Sequence, residues 1–296
     1  LPGSSTTYRG RFAPSPTGPL HQGSLIAALA SYLHARSQQG QWLVRMEDLD
    51  PPREEPGAAD AILQSLRDHG LEWDGDVLFQ SKRSDAYDKA LSSLAAAGSL
   101  FRCDCTRALL GPGGSCHGRC APRQAEVSEP WALRLAVSPG TEIRFQDQVQ
   151  GSQQECLGRE LPDFTLLRKD GLYAYQLAVV VDDGFQGISH VVRGCDLLDS
   201  TARQIYLQRQ LGLPQPAYCH IPVITNAGGQ KFSKQNHAPA LLSSAAPDNL
   251  RRALDFLQQP QPPATLRRCQ HMLEFASRHW STASIPPVLA IAAGQR

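Results

Sequence analysis

Residues 11–24 read RFAPSPTGPLHQGS, and the apolar run LIAALASYLHA follows at once at 25–35. Prolines at 14, 16 and 19 fix the backbone and hold a loop open, whereas Gly18 and Gly23 let another group approach the main chain closely. The preceding YRGRF, at 8–12, reads as a short strand, and the run after the loop reads as a helix over roughly 22–38. A stiff loop delivering a strand into a helix start gathers unpaired N–H groups at the positive end of the helix dipole, an arrangement that accepts phosphate. His21 is placed to offer an imidazole N–H to a phosphate oxygen. The same residues would also make a rigid connector capped by Ser24, so the stretch gives a strand–loop–helix unit and leaves the ligand open.

Outward from this unit the pattern repeats. QWLVRMED (41–48) reads as a strand ending in acids, and GAADAILQSLRDH (57–69) and DAYDKALSSLAAAG (85–98) carry apolar residues at helical spacing. Strand–helix alternation predicts an α/β fold, a Rossmann-type doubly wound parallel sheet. The alternation breaks near residue 100, and cysteine, glycine and polar residues dominate to about 160, with short strand-like runs such as WALRLAV. FTLLRKDGLYAYQLAVVVDD (164–183) reads as two strands around a Lys169-Asp170-Gly171 turn. DSTARQIYLQRQLG (199–212) reads as a helix capped by Asp199 or Ser200. The expected organisation is a first half of a catalytic core at 8–100, an inserted segment at 101–160, the second half of the core at 161–236, and a small helical tail at 237–296.

The composition is that of an ordinary globular chain: 41% hydrophobic and 19% charged over 296 residues. With a net charge of +1, any nucleic-acid contact must rest on a local basic patch. No apolar run is long enough for a membrane span, and LPGSSTTYRG has no signal-peptide core. A cytoplasmic monomer without membrane association is the default expectation.

Four of the eight cysteines fall between 103 and 120, as C-x-C-x10-C-x3-C, and the other four are scattered. Paired thiols joined by the flexible Gly111, Gly113 and Gly114 suit one closed, tetrahedral, structural zinc site, with Cys103, Cys105, Cys116 and Cys120 as ligands. His117 is an alternative to Cys116, and spacing does not choose between them.

Near the other end, Lys231-Phe-Ser-Lys-Gln235 follows Asn226-Ala-Gly-Gly229. Two lysines flanking a small hydroxyl can close over a polyphosphate as mobile charges, although a solvated basic loop is the commoner fate of such a run. Together, HQGS and KFSKQ resemble the HIGH and KMSKS signatures of class I aminoacyl-tRNA synthetases. RFAPSPTGPLHQGS, RMEDLDPPR, FTLLRKDGLYAYQLAVVVDD and VVRGCDLLDSTARQ are similar, in order and over most of residues 9–236, to the glutamyl-tRNA synthetase catalytic core. A short core with a cysteine-bearing insertion, KxSKQNHAPAL, and only about 60 residues after KFSKQ resembles the glutamyl-queuosine tRNA(Asp) branch of that family, which lacks anticodon-binding domains. Three positions depart from the family pattern. Ser24 replaces the second His of HIGH, Gln235 replaces the last Ser of KMSKS, and Cys116 stands where a Tyr is frequent.

The resemblance implies ATP with Mg²⁺ and L-glutamate as substrates, and tRNA(Asp) carrying queuosine as acceptor. It implies that Arg11, Tyr175 and Arg193 hold the side-chain carboxylate of glutamate, with Glu47 and Ser15 at the ammonium end and Phe12, Ala13 and Pro14 beside them. His21, Gly23 and Ser24, with Lys231, Ser233 and Lys234, are implied to hold ATP, and His21, Lys231 and Lys234 to serve the chemistry. Plain alternatives exist: Glu47 as a solvated strand-end acid, Arg193 paired with Asp182, Asp183 or Asp196, and Tyr175 as a core aromatic on a strand. Rival functions are a truncated glutamyl-tRNA synthetase charging the 3′ end of tRNA(Glu), another nucleotidyl transferase, and a silent RNA-binding paralogue. The Arg11, Glu47, Tyr175, Arg193 set argues against the nucleotidyl transferase, and the two lysines against the silent paralogue. Arg102, Arg107, Arg119, Arg123, Arg251 and Arg252 are candidate RNA-backbone contacts.

Overall fold

The strand–loop–helix unit forms where the pattern puts it. In the computed structural model, which describes residues 7–226 and 239–293, β1 (Arg9–Phe12) leads through the proline loop into α1 (Gln22–Ser37), and β2 (Gln41–Met46) returns parallel to β1. After α2 (Ala58–Asp68), β3 (Leu78–Phe79) adds parallel to β2, and α3 (Ser84–Ala96) closes this half.

β4 (Leu100–Cys103) opens the cysteine segment. The chain returns as β5 (Ala132–Ala136), forms a hairpin of β6 (Ile143–Asp147) and β7 (Gly151–Glu155), and passes through the single turn of α4 (Leu157–Glu160) into β8 (Asp163–Leu167). β4, β5 and β8 make one antiparallel sheet. The hairpin does not join it. β6 instead pairs parallel with β10 (Ala217–Ile221) at the single position Asp147–Tyr218, giving the order β7-β6-β10-β9, with β9 at His190–Gly194. α5 (Tyr175–Phe185) and α6 (Thr201–Gln210) flank β9 in sequence. The tail supplies α7 (Ala246–Phe256), α8 (Cys269–Arg278) and β12 (Ala290–Ala292), and β12 pairs parallel with β11 (Val223–Thr225).

The two halves meet between β1 and β9, where Ser189 N donates to Arg9 O and Arg9 N donates to Ser189 Oγ, both at 2.9 Å. α1 crosses this seam. Leu25, Ile26, Ala28, Leu29, Ala30, Leu33 and Ala35 are all buried, because β1 and β9 cover part of the helix and α7 and α8 cover the rest. The tail helices therefore complete the core that holds α1 in place. No helix among the described residues is long and apolar enough to cross a membrane.

Two local expectations change. The second strand of 164–183 is instead the helix α5. The turn is real, since Arg168 N donates to Leu172 O at 2.9 Å and Leu167 bridges to Tyr173. Beyond Ala174, however, the Val179-Val180-Val181 run, which favours strands by local preference, lies between α3, α6 and β8, and burial there overrides propensity. At α6 the N-cap is Ser200, but its hydroxyl makes no capping bond and accepts from Arg203 Nη2 at 3.2 Å instead.

Candidate active site

A cavity of about 730 Å³ opens beyond the carboxyl ends of β1, β2, β9 and β10, where an open parallel sheet places its ligands. Each predicted residue of the glutamate set lines it: Arg11 to Ser15 from β1 and its loop, Glu47 just after β2, Tyr175 from the first turn of α5, and Arg193 from β9. His21, Gly23 and Ser24 line it from the start of α1. Lys231, Ser233 and Lys234 lie outside the described residues. Ahead of that stretch Ile224 lines the cavity, and after it Ala240 forms a β-bridge with His21.

His21 is the N-cap of α1. Its Nδ1 accepts from Ser24 N at 3.2 Å, and its own N–H donates to Ser24 Oγ at 2.8 Å, a reciprocal capping box built from His and Ser. Because Nδ1 is the acceptor, a neutral ring carries its proton on Nε2. Gly23 makes this packing possible: a Cβ there would stand 3.1 Å from the His21 ring and 3.2 Å from Ile224 Cγ2.

Beneath the loop is a buried charge array. Arg11 makes a two-pronged ion pair with Asp183. Arg45, fully buried, approaches Asp183 at 2.8 Å and Glu47 at 3.5 Å, and donates to Gln186 Oε1 at 2.7 Å. Burial would raise the Asp183 carboxyl, but Arg11 and Arg45 outweigh it and hold it below its ordinary range. Glu47 differs. Burial pushes its carboxyl up despite Arg45 and Arg11, and its Oε1 is buried with no hydrogen-bond partner among the described residues. That oxygen has Arg45 Nη2 near it only at 3.5 Å, so the Glu47 carboxylate that borders the cavity is loosely compensated and suits a ligand cation.

Arg193 pairs with none of the acids open to it from sequence. Its Nη1 faces the Tyr175 hydroxyl at 3.4 Å, its Nη2 donates to Thr201 Oγ1 at 2.9 Å, and its Nε donates to His220 Nε2 at 3.0 Å. A buried arginine with neutral partners keeps a net positive charge in the wall, which attracts a carboxylate. Tyr175 is half-buried, and desolvation raises its hydroxyl, so it stays protonated as a donor.

The four cysteines converge. Cys103, Cys105, Cys116 and Cys120 are buried, and their sulfurs lie within 4.8 Å of one another. Tetrahedral coordination with bonds of about 2.3 Å spaces sulfurs by about 3.8 Å, so the group fits a metal ion. His117 is not part of the group. Asp163 holds the loop in shape: its carboxylate accepts from Ser115 Oγ, Cys116 N and Gly118 N at 2.8 to 3.0 Å and pairs with buried Arg134.

The sequence offers Asp183 only as a partner for Arg193, whereas it pairs with Arg11 and Arg45, and it gives Arg45 and His220 no separate role in this site. Asp183 lay in a segment read as a strand end. Arg45 was seen only inside a motif. A single histidine in a strand carries no local signal.

Residues 7–111 and 118–254 match the family model for the catalytic domain of class I tRNA synthetases of the E and Q type. Two relatives, each described as a glutamyl-Q tRNA(Asp) synthetase, come from Pseudomonas fluorescens and Thiobacillus denitrificans. The first is 50% identical and covers 99% of this chain and 98% of its own length, and the second is 52% identical over 95% and 96%. Among solved structures, a glutamate-tRNA synthetase from Elizabethkingia anophelis superposes with a TM-score of 0.81 at 22% identity, covering 98% of this chain and 68% of its own, which shows the shared fold.

Proposed function

Because the chain belongs to the class I tRNA synthetases of the E and Q type and, within them, to the glutamyl-Q tRNA(Asp) synthetases, we propose that it activates L-glutamate with ATP and transfers the glutamyl group to queuosine at the wobble position of tRNA(Asp). The observation that carries this reading is one cavity lined by the Glu47 carboxylate, a buried arginine beside a tyrosine hydroxyl, and a helix start headed by His21.

In the first step an α-carboxylate oxygen of glutamate attacks the α-phosphorus of ATP, the bond to the bridging oxygen breaks, and pyrophosphate leaves. The protein aligns the reactants and stabilises charge, with no covalent bond of its own. Arg193, Tyr175 and the remaining donor of Arg11 take the side-chain carboxylate, Glu47 and Ser15 take the ammonium, and Phe12, Ala13 and Pro14 wall the subsite. His21, Gly23, Ser24 and the start of α1 hold the triphosphate of Mg²⁺–ATP. Lys231 and Lys234, with Ser233 between them, stabilise the departing pyrophosphate. In the second step a hydroxyl of the queuosine cyclopentene attacks the adenylate carbonyl, and AMP leaves. The four thiolates hold one structural zinc, which fixes the inserted segment against the RNA.

The test is to charge bulk tRNA with labelled glutamate, cleave it, and locate the label. Label in the anticodon fragment, absent from tRNA lacking queuosine, supports the reading. Label on the 3′-terminal adenosine of tRNA(Glu) makes the protein a short glutamyl-tRNA synthetase instead.

A further inference from the structure

The aim of Arg193 is set from behind. Its Nε–H donates to His220 Nε2 at 3.0 Å, and His220 Nδ1 lies 2.6 Å from Asp147 Oδ2. Asp147 and His220 are wholly buried, and Arg193 is 5% exposed. We propose that Asp147 and His220 are positioning residues for glutamate binding, with the imidazole tautomer set by Asp147 fixing the direction of the Arg193 guanidinium. The inference rests on the functional reading above.

The proton count leaves one solution. Guanidinium is donor only, so Nε of Arg193 always presents a hydrogen. His220 Nε2 must therefore be a lone pair. Asp147 is a carboxylate: burial would raise it, but the His220 bond and the N–H groups of Gln150 and Val149 bring it below its ordinary range. A carboxylate has no proton to give, so His220 Nδ1 must carry one. Only the neutral Nδ1–H tautomer satisfies both bonds. Burial also favours the neutral ring and lowers its pKa, with Asp147 opposing and Arg193 reinforcing that shift. The neighbouring polar group, Thr201 Oγ1, takes Arg193 Nη2 and leaves Nη1 toward Tyr175.

The array also crosses an element boundary. Asp147 is the one residue through which β6 pairs with β10, and its carboxylate accepts from Val149 N at 3.0 Å, Gln150 N at 2.9 Å and His220 N at 3.1 Å. The residue that seats the β6–β7 hairpin on the parallel sheet is therefore the residue that sets the His220 tautomer. A displacement of the hairpin changes the arginine that faces the substrate.

Three variants test this by ATP–pyrophosphate exchange. Asp147→Asn keeps an acceptor for the backbone but turns an N–H toward His220 Nδ1, which forces the proton to Nε2 and sets two donors against each other. His220→Phe removes the acceptor, whereas His220→Gln can supply an amide oxygen to Arg193. We expect KM for glutamate to rise roughly 10- to 100-fold in Asp147→Asn and His220→Phe, the scale of one hydrogen bond to a charged group, with KM for ATP unchanged and His220→Gln recovering most of the loss. A glutamate KM near wild type in His220→Phe overturns the inference. So does a His220→Gln variant as defective as His220→Phe, or a parallel rise in KM for ATP. If Asp147→Asn does not fold, the two His220 variants decide. Wild-type protein without glutamate-dependent exchange overturns the functional reading itself, whereas normal wild-type exchange with unaffected variants overturns only the positioning role.

Discussion

Arg11 and Asp183 form a two-pronged ion pair, Nε to Oδ1 at 3.1 Å and Nη2 to Oδ2 at 3.3 Å, with only 4% and 8% of the two side chains exposed. Asp183 also neutralises Arg45, so one α5 carboxylate is the counter-charge for two buried guanidiniums on β1 and β2. Replacing it by alanine leaves both cations buried and under-compensated. Asp183→Ala should cost about 3–5 kcal/mol of stability, the usual scale for breaking a buried pair. Urea unfolding measures this, and a loss below about 1 kcal/mol, the level of an exposed pair, would rule out a structural role for the array.

Glu47 is the opposite case. Its charge is disfavoured by burial, and Arg45 Nη2 comes no closer than 3.5 Å to its Oε1. Glu47→Gln should leave the melting temperature unchanged or raise it, because an amide is cheaper to bury than a carboxylate. The same change should raise KM for glutamate roughly 10- to 100-fold, as expected when a charged hydrogen bond to the ligand is lost. Wild-type exchange kinetics in Glu47→Gln would remove it from the ammonium site.

Much of this arrangement was legible in the sequence, and the exceptions have physical causes. The β1–loop–α1 unit was readable because proline, glycine and an all-round apolar helix act locally. The cysteine group was readable because ligand spacing is itself a local signal. α5 was misread because Val179-Val180-Val181 has strand propensity and helical burial overrode it. The true partners of Asp183, Arg11 and Arg45, were hidden too, since they lie 172 and 138 residues away in sequence. The His220–Arg193 contact was likewise invisible, since it depends on two neighbouring strands coming into register.

Acid should weaken the fold through His34. It is buried, its Nδ1 accepts from Trp280 Nε1 at 3.0 Å, and it meets Tyr8 and His190 edge-on. Burial, then the nearby His190, lowers its pKa from 6.5 to about 4. The folded state thus resists a proton that the unfolded chain accepts. The stability this group contributes is complete above about pH 6.5 and lost progressively as pH falls toward about 4. Thermal unfolding across that range should show the decline, and His34→Gln should flatten it. An unchanged slope in the variant would assign the acid sensitivity elsewhere.

The lysine loop predicts a loss of rate without a loss of binding. Lys234→Ala should slow glutamate-dependent exchange by roughly two to three orders of magnitude, the usual scale for one transition-state electrostatic contact. Glutamate affinity should change little, because the residues assigned to glutamate lie on β1, β2, α5 and β9. Near-normal exchange would make KFSKQ a surface loop.

Metal loss should separate the two half-reactions. None of the four cysteines lines the cavity, so adenylate formation does not need them directly. The cluster is nevertheless tied to the cavity mouth: Lys169 Nζ donates to Asp104 O at 2.7 Å, between two of the cysteines, and the adjacent Arg168 lines the cavity. Arg123, a candidate RNA contact, pairs with Asp104 and donates to Cys120 Sγ at 3.2 Å, so its direction depends on the same loop. Asp163 pre-shapes the Ser115–Gly118 turn, but without a metal no bond would tie that turn to Cys103 and Cys105 through the four thiols. A Cys103→Ser, Cys105→Ser double variant should therefore contain no zinc, where the wild type holds one per chain by elemental analysis. Its ATP–pyrophosphate exchange should remain near wild type, while glutamate transfer to tRNA(Asp) falls by at least about tenfold, as for a lost supporting contact. Freshly purified wild-type protein without zinc would refute the metal assignment. Exchange and transfer falling together would show that the cluster supports the whole core rather than the RNA-facing segment.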